Sequence, residues 1–265
     1  IARQRPVRLF LSGPAAGVVG AATVGKAVEV DDLISVDIGG TSCDIALISG
    51  GRPKLRAEGE IEGYPVRVNM VDVNAIGAGG GSLVWFDAAG GLRVGPGSAG
   101  ANPGPACYGR GGKRATVTDA SIVLGYLNPA YFAGGSINLD WQRAYDVIEK
   151  IVAKPLNFSV ERAALGIHRV VNAQMAEGIR LVSIQRGFDP RQFTLVALGG
   201  AGPVHATALA DELGITKIIV PRNPGVLSAM GLLTAPIEHE ATKSLQQDLS
   251  VLSHSAVTSV LQGLD

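Results

Sequence analysis

The stretch ISVDIGGTSCDIALI, residues 34 to 48, constrains the fold more than any other part of the chain. Two apolar runs of strand length flank a Gly39-Gly40 pair, so the segment reads as strand, tight bend, strand. Aspartates stand at both ends of the bend, Asp37 and Asp44. Glycine strips side chains from a bend, and the N–H groups left bare, with the Thr41 and Ser42 hydroxyls, are able to cradle phosphate oxygens. Asp37 leaves the strand end, where a carboxylate holds Mg2+ through water. An ordinary glycine hairpin satisfies the same residues, so the motif does not decide by itself.

A second glycine turn lies in LVALGGAGPVHATALADELG, residues 195 to 214. A buried strand there runs into a helix that begins near Pro203 and ends at Gly214. A helix start favours an anion, and glycines permit close approach. Two helices of small residues bracket these motifs, over 12 to 28 and 224 to 235. In the first, Gly13, Gly17 and Ala21 form one ridge and Ala16 and Gly20 another, which predicts close helix–helix contact.

Between the motifs, strands are expected over 64 to 70 and 82 to 86, then a long loop rich in glycine and proline over 94 to 119. Helices are expected over about 118 to 127, 140 to 153 and 159 to 186, with Ser159 as the cap of the last. Thr118 or Asp119 is expected to start the first of these. Residues beyond about 240 read as a polar, unpatterned tail.

At 46% apolar and 17% charged residues, the chain is globular. Its formal net charge is zero, so nothing provides the basic footprint of a nucleic-acid partner. No apolar run reaches the ~18 residues of a spanning helix, so no membrane is expected. Cys43 and Cys107 lack CxxC spacing, which argues against a zinc knuckle and for a cytoplasmic setting. His205 reads first as a packed helical histidine and His239, in IEHE, as part of a solvated face. Cys107 is not read as a nucleophile, because no adjacent His is there to lower its pKa.

The order of elements (small-residue helix, D-x-G-G-T-x-x-D hairpin, strand–GGxGP–helix, second small-residue helix) resembles the second lobe of the α/β actin-like ATPase fold, which is ribonuclease H-like. More specific are VDVNAIGAGGGSLVWFD, GPGSAGANPGPACYGRGG, TVTDA, RGFDPRQFTLVALGGAGPVHA and PRNPGVLSAMGLL. Together they resemble the hydantoinase A / 5-oxoprolinase family over about residues 11 to 240.

That resemblance implies an actin-like lobe II with a glycine-rich insertion over about 64 to 119. It also implies an N-terminal lobe I absent from this chain, with residues 241 to 265 belonging to a neighbour. The cofactors it implies are ATP and Mg2+. By motif match, Asp37 would hold the metal, while Gly39, Gly40, Thr41 and Asp44 would face the phosphates. Gly199, Gly200, Gly202 and Pro203 would border the adenosine. Asn74 and the loop Gly79, Gly80, Gly81 and Ser82 would lie on the substrate side. Asp37, Asp72 and Asp119 are the catalytic candidates, with turn chemistry and helix capping as the alternative for the last two. Pro103, Gly104, Cys107 and Tyr108 also match the family pattern. The implied activity is ATP-dependent opening of a cyclic amide of the hydantoin, N-methylhydantoin or 5-oxoproline type, through phosphorylation of the substrate. A B-type subunit would complete hydrolysis, and the isolated chain is expected to be inactive. The alternatives are the ATP-using subunit of a ketone carboxylase and a nucleotide-gated interaction lobe.

Overall fold

A computed structural model describes residues 9, 11–61, 63–237, 245–246, 248, 250 and 252–262. His239 lies outside the described residues. The chain divides into two units, Ile1–Thr234 and Ala235–Asp265. The second contains helix His254–Gln262, in the stretch expected to be unpatterned.

The first unit is built on a sheet whose central strand is β1 (Leu33–Ile38). β2 (Cys43–Ser49) returns antiparallel to it through the glycine bend, and β3 (Arg52–Pro53) continues the meander. On the other side of β1 lie β11 (Thr194–Leu198) and β12 (Ile218–Ile219), each parallel to its neighbour. The order β12-β11-β1-β2-β3, antiparallel only on the hairpin side, is the ribonuclease H-like order of an actin-like lobe.

Short strands β4 (Leu55–Arg56) and β5 (Gly59–Ile61) come before the insertion, which contributes β6 (Tyr64–Val66), β7 (Met70–Val71), β8 (Val73–Ile76) and β9 (Ser82–Phe86). β10 (Leu92–Ser98) pairs with β9 as a hairpin. β8 docks on β2 over Cys43–Ala46, beside the bend, so part of the insertion is welded to the main sheet. The strand expected over 64 to 70 is broken, because Tyr64–Val66 turns back on Gly59–Ile61.

Helix α1 (Ser12–Ala27) precedes the sheet. α2 (Val117–Val123) and α3 (Trp141–Ile148) follow the insertion, and α3 continues through a π turn at Glu149–Ala153 into α4 (Lys154–Leu156). α5 (Val160–Val182) starts at Ser159, whose side chain accepts from the Arg162 N–H, as expected. α6 (Gly202–Leu213) follows β11, and α7 (Leu227–Thr234) follows β12.

Strand alternation divides the core into two faces. Ile34, Val36, Ile38, Ile45 and Leu47 join Ile167, Val171, Met175 and Ile179 of α5 and Leu209 of α6. On the opposite face Leu33, Ala46, Ile48, Val196 and Leu198 meet Val18 and Ala21 of α1 and Leu227 of α7. The first face buries large side chains, each contributing about 1.5–3 kcal/mol. The second depends on proximity instead. A Cβ on Gly20 would sit 2.8 Å from the Leu227 carbonyl oxygen, and one on Gly231 would overlap the Ala16 carbonyl oxygen.

At Gly231 the steric cost of an added methyl, about 1–3 kcal/mol, exceeds the helix-propensity gain of about 0.5–1 kcal/mol. Gly231→Ala should therefore lower stability by about 1–2 kcal/mol in chemical denaturation. Gly13→Ala, where nothing lies within 4 Å of the added carbon, should leave it unchanged or slightly raised. Equal effects at the two positions would refute the close-contact account of α1 and α7.

Candidate functional site

The bend between β1 and β2 places Asp37 and Asp44 directly opposite one another. Cross-strand partners share a face, so both carboxylates project toward the α1 and α7 side of the sheet. Three elements close around Asp37. Ser228 of α7 donates to its Oδ2 at 3.2 Å. A Cβ on Gly17 of α1 would lie 3.3 Å from the same oxygen. Gly199, at φ 78°, is seated against Asp37 Oδ1 and the Ile38 carbonyl, where any side chain would collide.

Burial raises the Asp37 carboxyl above its ordinary value, opposed by the Ser228 hydrogen bond. Burial also raises Asp44, with the negative Asp37 alongside adding to the shift and the Ser42 hydroxyl opposing it. In both, the buried setting disfavours the charged form.

The insertion grips the other side of the bend through backbone. Gly80 N–H donates to the Gly39 carbonyl at 3.0 Å and Gly81 N–H to the Gly40 carbonyl at 2.6 Å. A Cβ on Gly79 would stand 2.8 Å from the Gly39 carbonyl oxygen, so only glycine fits. Ser82 Oγ accepts from Gly79 N–H, and the Thr118 N–H and hydroxyl both donate to the Gly80 carbonyl. With the Gly39 and Gly40 carbonyls engaged, their negative ends do not compete with an anion at the bend.

Beside the bend lies a cavity of about 510 Å3, lined by Gly39, Gly40, Gly80, Gly200, His205, Tyr131 and Phe132 among others. Its volume falls in the range of ligand pockets. Of the four residues matched to the adenosine, Gly200 lines this cavity. Gly199 serves Asp37 instead, and Gly202 is packed against the Ala197 backbone at the start of α6. Pro203 occupies the first turn of that helix. Thr41 lies within 3.4 Å of the Ser98 hydroxyl.

Asp72 and Asp119 are not brought to the bend. Asp72, 5% exposed, pairs with Arg186 just beyond α5, at the end of β8 away from the bend. Asp119 is fully buried and accepts from the Cys107 N–H at 2.8 Å, the Ala106 N–H at 3.3 Å, and both the N–H and hydroxyl of Thr116. Thr116, rather than Thr118 or Asp119, is the N-cap of α2, and Asp119 completes a capping box. Burial raises the Asp119 carboxyl, opposed chiefly by the Cys107 N–H. Asn74 faces Ile45 across the sheet, its Nδ2 buried without a partner. Cys107 is fully buried, and burial with Asp119 nearby pushes its thiol up.

Sequence reading missed Ser228, Ser98 and the aromatic pair Tyr131 and Phe132. The first sat in plain view within NPGVLSAMG, but only the fold brings it to Asp37.

A glycine-bend lobe with paired carboxylates and an adjoining cavity is the class of site these elements define. Residues 1–241 match the hydantoinase/oxoprolinase family model, and the chain belongs to that family. It is 45% identical over 249 residues to the caprolactamase subunit alpha of Pseudomonas jessenii, covering 94% of this chain and 36% of the relative. The crystal structure of ATP-dependent caprolactamase from that organism superposes with a TM-score of 0.82 at 44% identity, covering 96% of this chain and 36% of that one. The acetone carboxylase beta subunit of Xanthobacter autotrophicus is 36% identical, covering 90% of this chain and 33% of the relative. 5-Oxoprolinase 1 of Arabidopsis thaliana is 37% identical, covering 88% of this chain and 20% of the relative. The chain therefore spans about a third or less of the length of these relatives.

The raised carboxyls carry a stability consequence. Folded Asp37 and Asp44 hold protons more tightly than unfolded ones, whose ordinary value is 3.8. The stability they leave intact below that pH is lost as pH rises through their raised folded values. Asp44→Asn, uncharged throughout, should be more stable than the parent at pH 7, with the gap closing as pH falls below 3.8. Denaturation curves showing no gain at pH 7 would refute an uncompensated pair.

Proposed function

We propose that the chain is the nucleotide-holding lobe of an ATP-dependent enzyme that opens a cyclic amide. The observation that carries this reading is the glycine bend between Asp37 and Asp44, whose Gly39 and Gly40 line a cavity. Mg2+ typically takes one or two protein carboxylates and completes its shell with water and substrate phosphates. The bend offers two such carboxylates, Asp37 and Asp44, opposite one another across the strand pair. Asp37 and Asp44 would hold the cation, while Gly39, Gly40 and Thr41 present backbone and hydroxyl donors to phosphate.

When bound, Mg-ATP supplies a γ-phosphoryl group whose transfer to the amide oxygen releases ADP and leaves the ring carbon open to water. This chain's contribution is positioning. The Gly79–Ser82 loop fixes the bend, and Ser228 holds the Asp37 carboxylate in place. Asp119 and Asp72 act one step back, by anchoring the insertion that carries the loop. A first lobe of the same subunit would face the bend, a B-type subunit would complete hydrolysis, and a cytoplasmic setting suits the nucleotide.

The likeness to a caprolactamase favours a lactam-type substrate. The acetone carboxylase likeness supports a second reading, in which the phosphoryl acceptor is the enolate oxygen of a ketone. Substrate-dependent ADP release by the complete assembly, offered caprolactam, 5-oxoproline, hydantoin and acetone, separates them: the proposal expects stimulation by a cyclic amide and none by acetone. Asp37→Asn should lower that release by about a hundredfold or more. Unchanged turnover would remove Asp37 from the site.

A further inference from the structure

One wall of the cavity carries His205, which the phosphate chemistry does not use and whose ring stacks on His168. His168 of α5 and His205 of α6 are 3% and 1% exposed, and their rings stack with centroids 5.1 Å apart. Hydrogen bonds fix both tautomers. The Ser121 hydroxyl donates to the Val117 carbonyl at 2.9 Å, so it accepts from His168 Nε2, 3.0 Å away. His168 is therefore protonated on Nε2. His205 Nδ1 lies 2.6 Å from Asn172 Oδ1, an oxygen that only accepts. The His205 proton is on Nδ1, and its Nε2 presents a lone pair.

Burial strips water from both rings and lowers them to about 4 for His168 and about 3 for His205, the latter helped by its neighbour. At pH 7 neither ring takes a second proton, so the acceptor at His205 Nε2 persists. His205 lines the cavity together with Gly39, Gly40 and Gly200, while Tyr131 and Phe132 supply aromatic surface. A neutral acceptor in a largely apolar wall suits a planar base bearing an amino group better than it suits a phosphate.

Building on the nucleotide reading above, we propose that His205 selects the purine: its Nε2 accepts a hydrogen bond from the 6-amino group of adenine and disfavours a 6-oxo purine. A 6-oxo group would set a carbonyl lone pair against the imidazole lone pair, leaving two buried acceptors without a donor. Asn172 is the positioning residue, because its oxygen holds the His205 proton on Nδ1. Sites built around one polar contact discriminate through the partner left unpaired in the wrong complex.

Equilibrium binding of the Mg2+ complexes of ATP, inosine triphosphate and GTP to the complete protein tests this directly. The parent should bind ATP about tenfold or more tightly than either 6-oxo nucleotide. His205→Leu should weaken ATP about tenfold and leave inosine triphosphate within about twofold, so that the ratio collapses. Asn172→Leu, which retains the imidazole but releases its tautomer, should narrow the ratio as well. The parent's own ratio requires no variant to fold. Equal affinity of the parent for ATP and inosine triphosphate would overturn the base-selection role while leaving the nucleotide site standing. An unchanged ratio in folded His205→Leu would do the same, and failure of all three to bind would overturn both readings.

Discussion

The architecture around the bend depends on one half-buried carboxylate. Asp37 sits where β1 ends, and Asp44 of the next strand together with three distant segments, at Gly17, Gly199 and Ser228, converges on it. Two of the four are glycines because Asp37 occupies the space a side chain would need. Small residues in α1 and α7 follow from the same geometry, since bulk on either helix would push Ser228 away from the carboxylate. The Gly231 contact with the Ala16 carbonyl and the Ser228 hydrogen bond are thus two ends of one arrangement. A shift of α7 against α1 would be felt at Asp37 through a single hydroxyl.

The insertion serves the opposite side of the bend, and its acidic residues act as fasteners. Asp72 ties one end of β8 to Arg186, and Asp119 gathers the Ala106–Cys107 backbone onto the start of α2. Thr118, one residue before Asp119, then reaches the Gly80 carbonyl with two hydrogen bonds. A chain of fixed points therefore runs from the buried Asp119 to the glycines that grip the bend. Removing Asp119 would leave the Cys107 and Thr116 N–H groups buried without their acceptor, and unsatisfied buried donors cost about 1–3 kcal/mol each.

What was legible in the sequence was local. The hairpin at Gly39-Gly40, the strand–turn–helix at Gly199 to Leu213, the Ser159 cap and the small-residue helices each announce themselves within a few residues. Pairings across long separations were not legible. Nothing near Asp72 names Arg186, and nothing near Asp37 names Ser228, because closure over more than a hundred residues is decided by the sheet order. Capping was legible in kind but misplaced in register: Thr116, Thr118 and Asp119 all have capping chemistry, and only the bridge of Thr116 to Leu83 selects the first. The long glycine- and proline-rich stretch read as loop for a sound reason, low periodicity. Yet its opening residues form strand β10, whose partner β9 supplies the order that periodicity lacked.

The charge distribution along the site also restricts what it accepts. At the bend, the negative Asp37 stands opposite Asp44 and resists its ionisation, whereas His205 on the cavity wall and His168 stacked on it stay neutral. A bare polyphosphate meets repulsion at the bend, because among the described residues no cation acts on either carboxyl. A divalent ion reverses that sign, turning the pair from a barrier into an anchor. The neutral wall, in turn, offers no charge to hold a phosphate in the wrong end of the cavity. On the proposed reading, a nucleotide therefore enters in one orientation, metal and phosphates toward Asp37 and base toward His205. The asymmetry comes from where the chain places, or withholds, ionised groups.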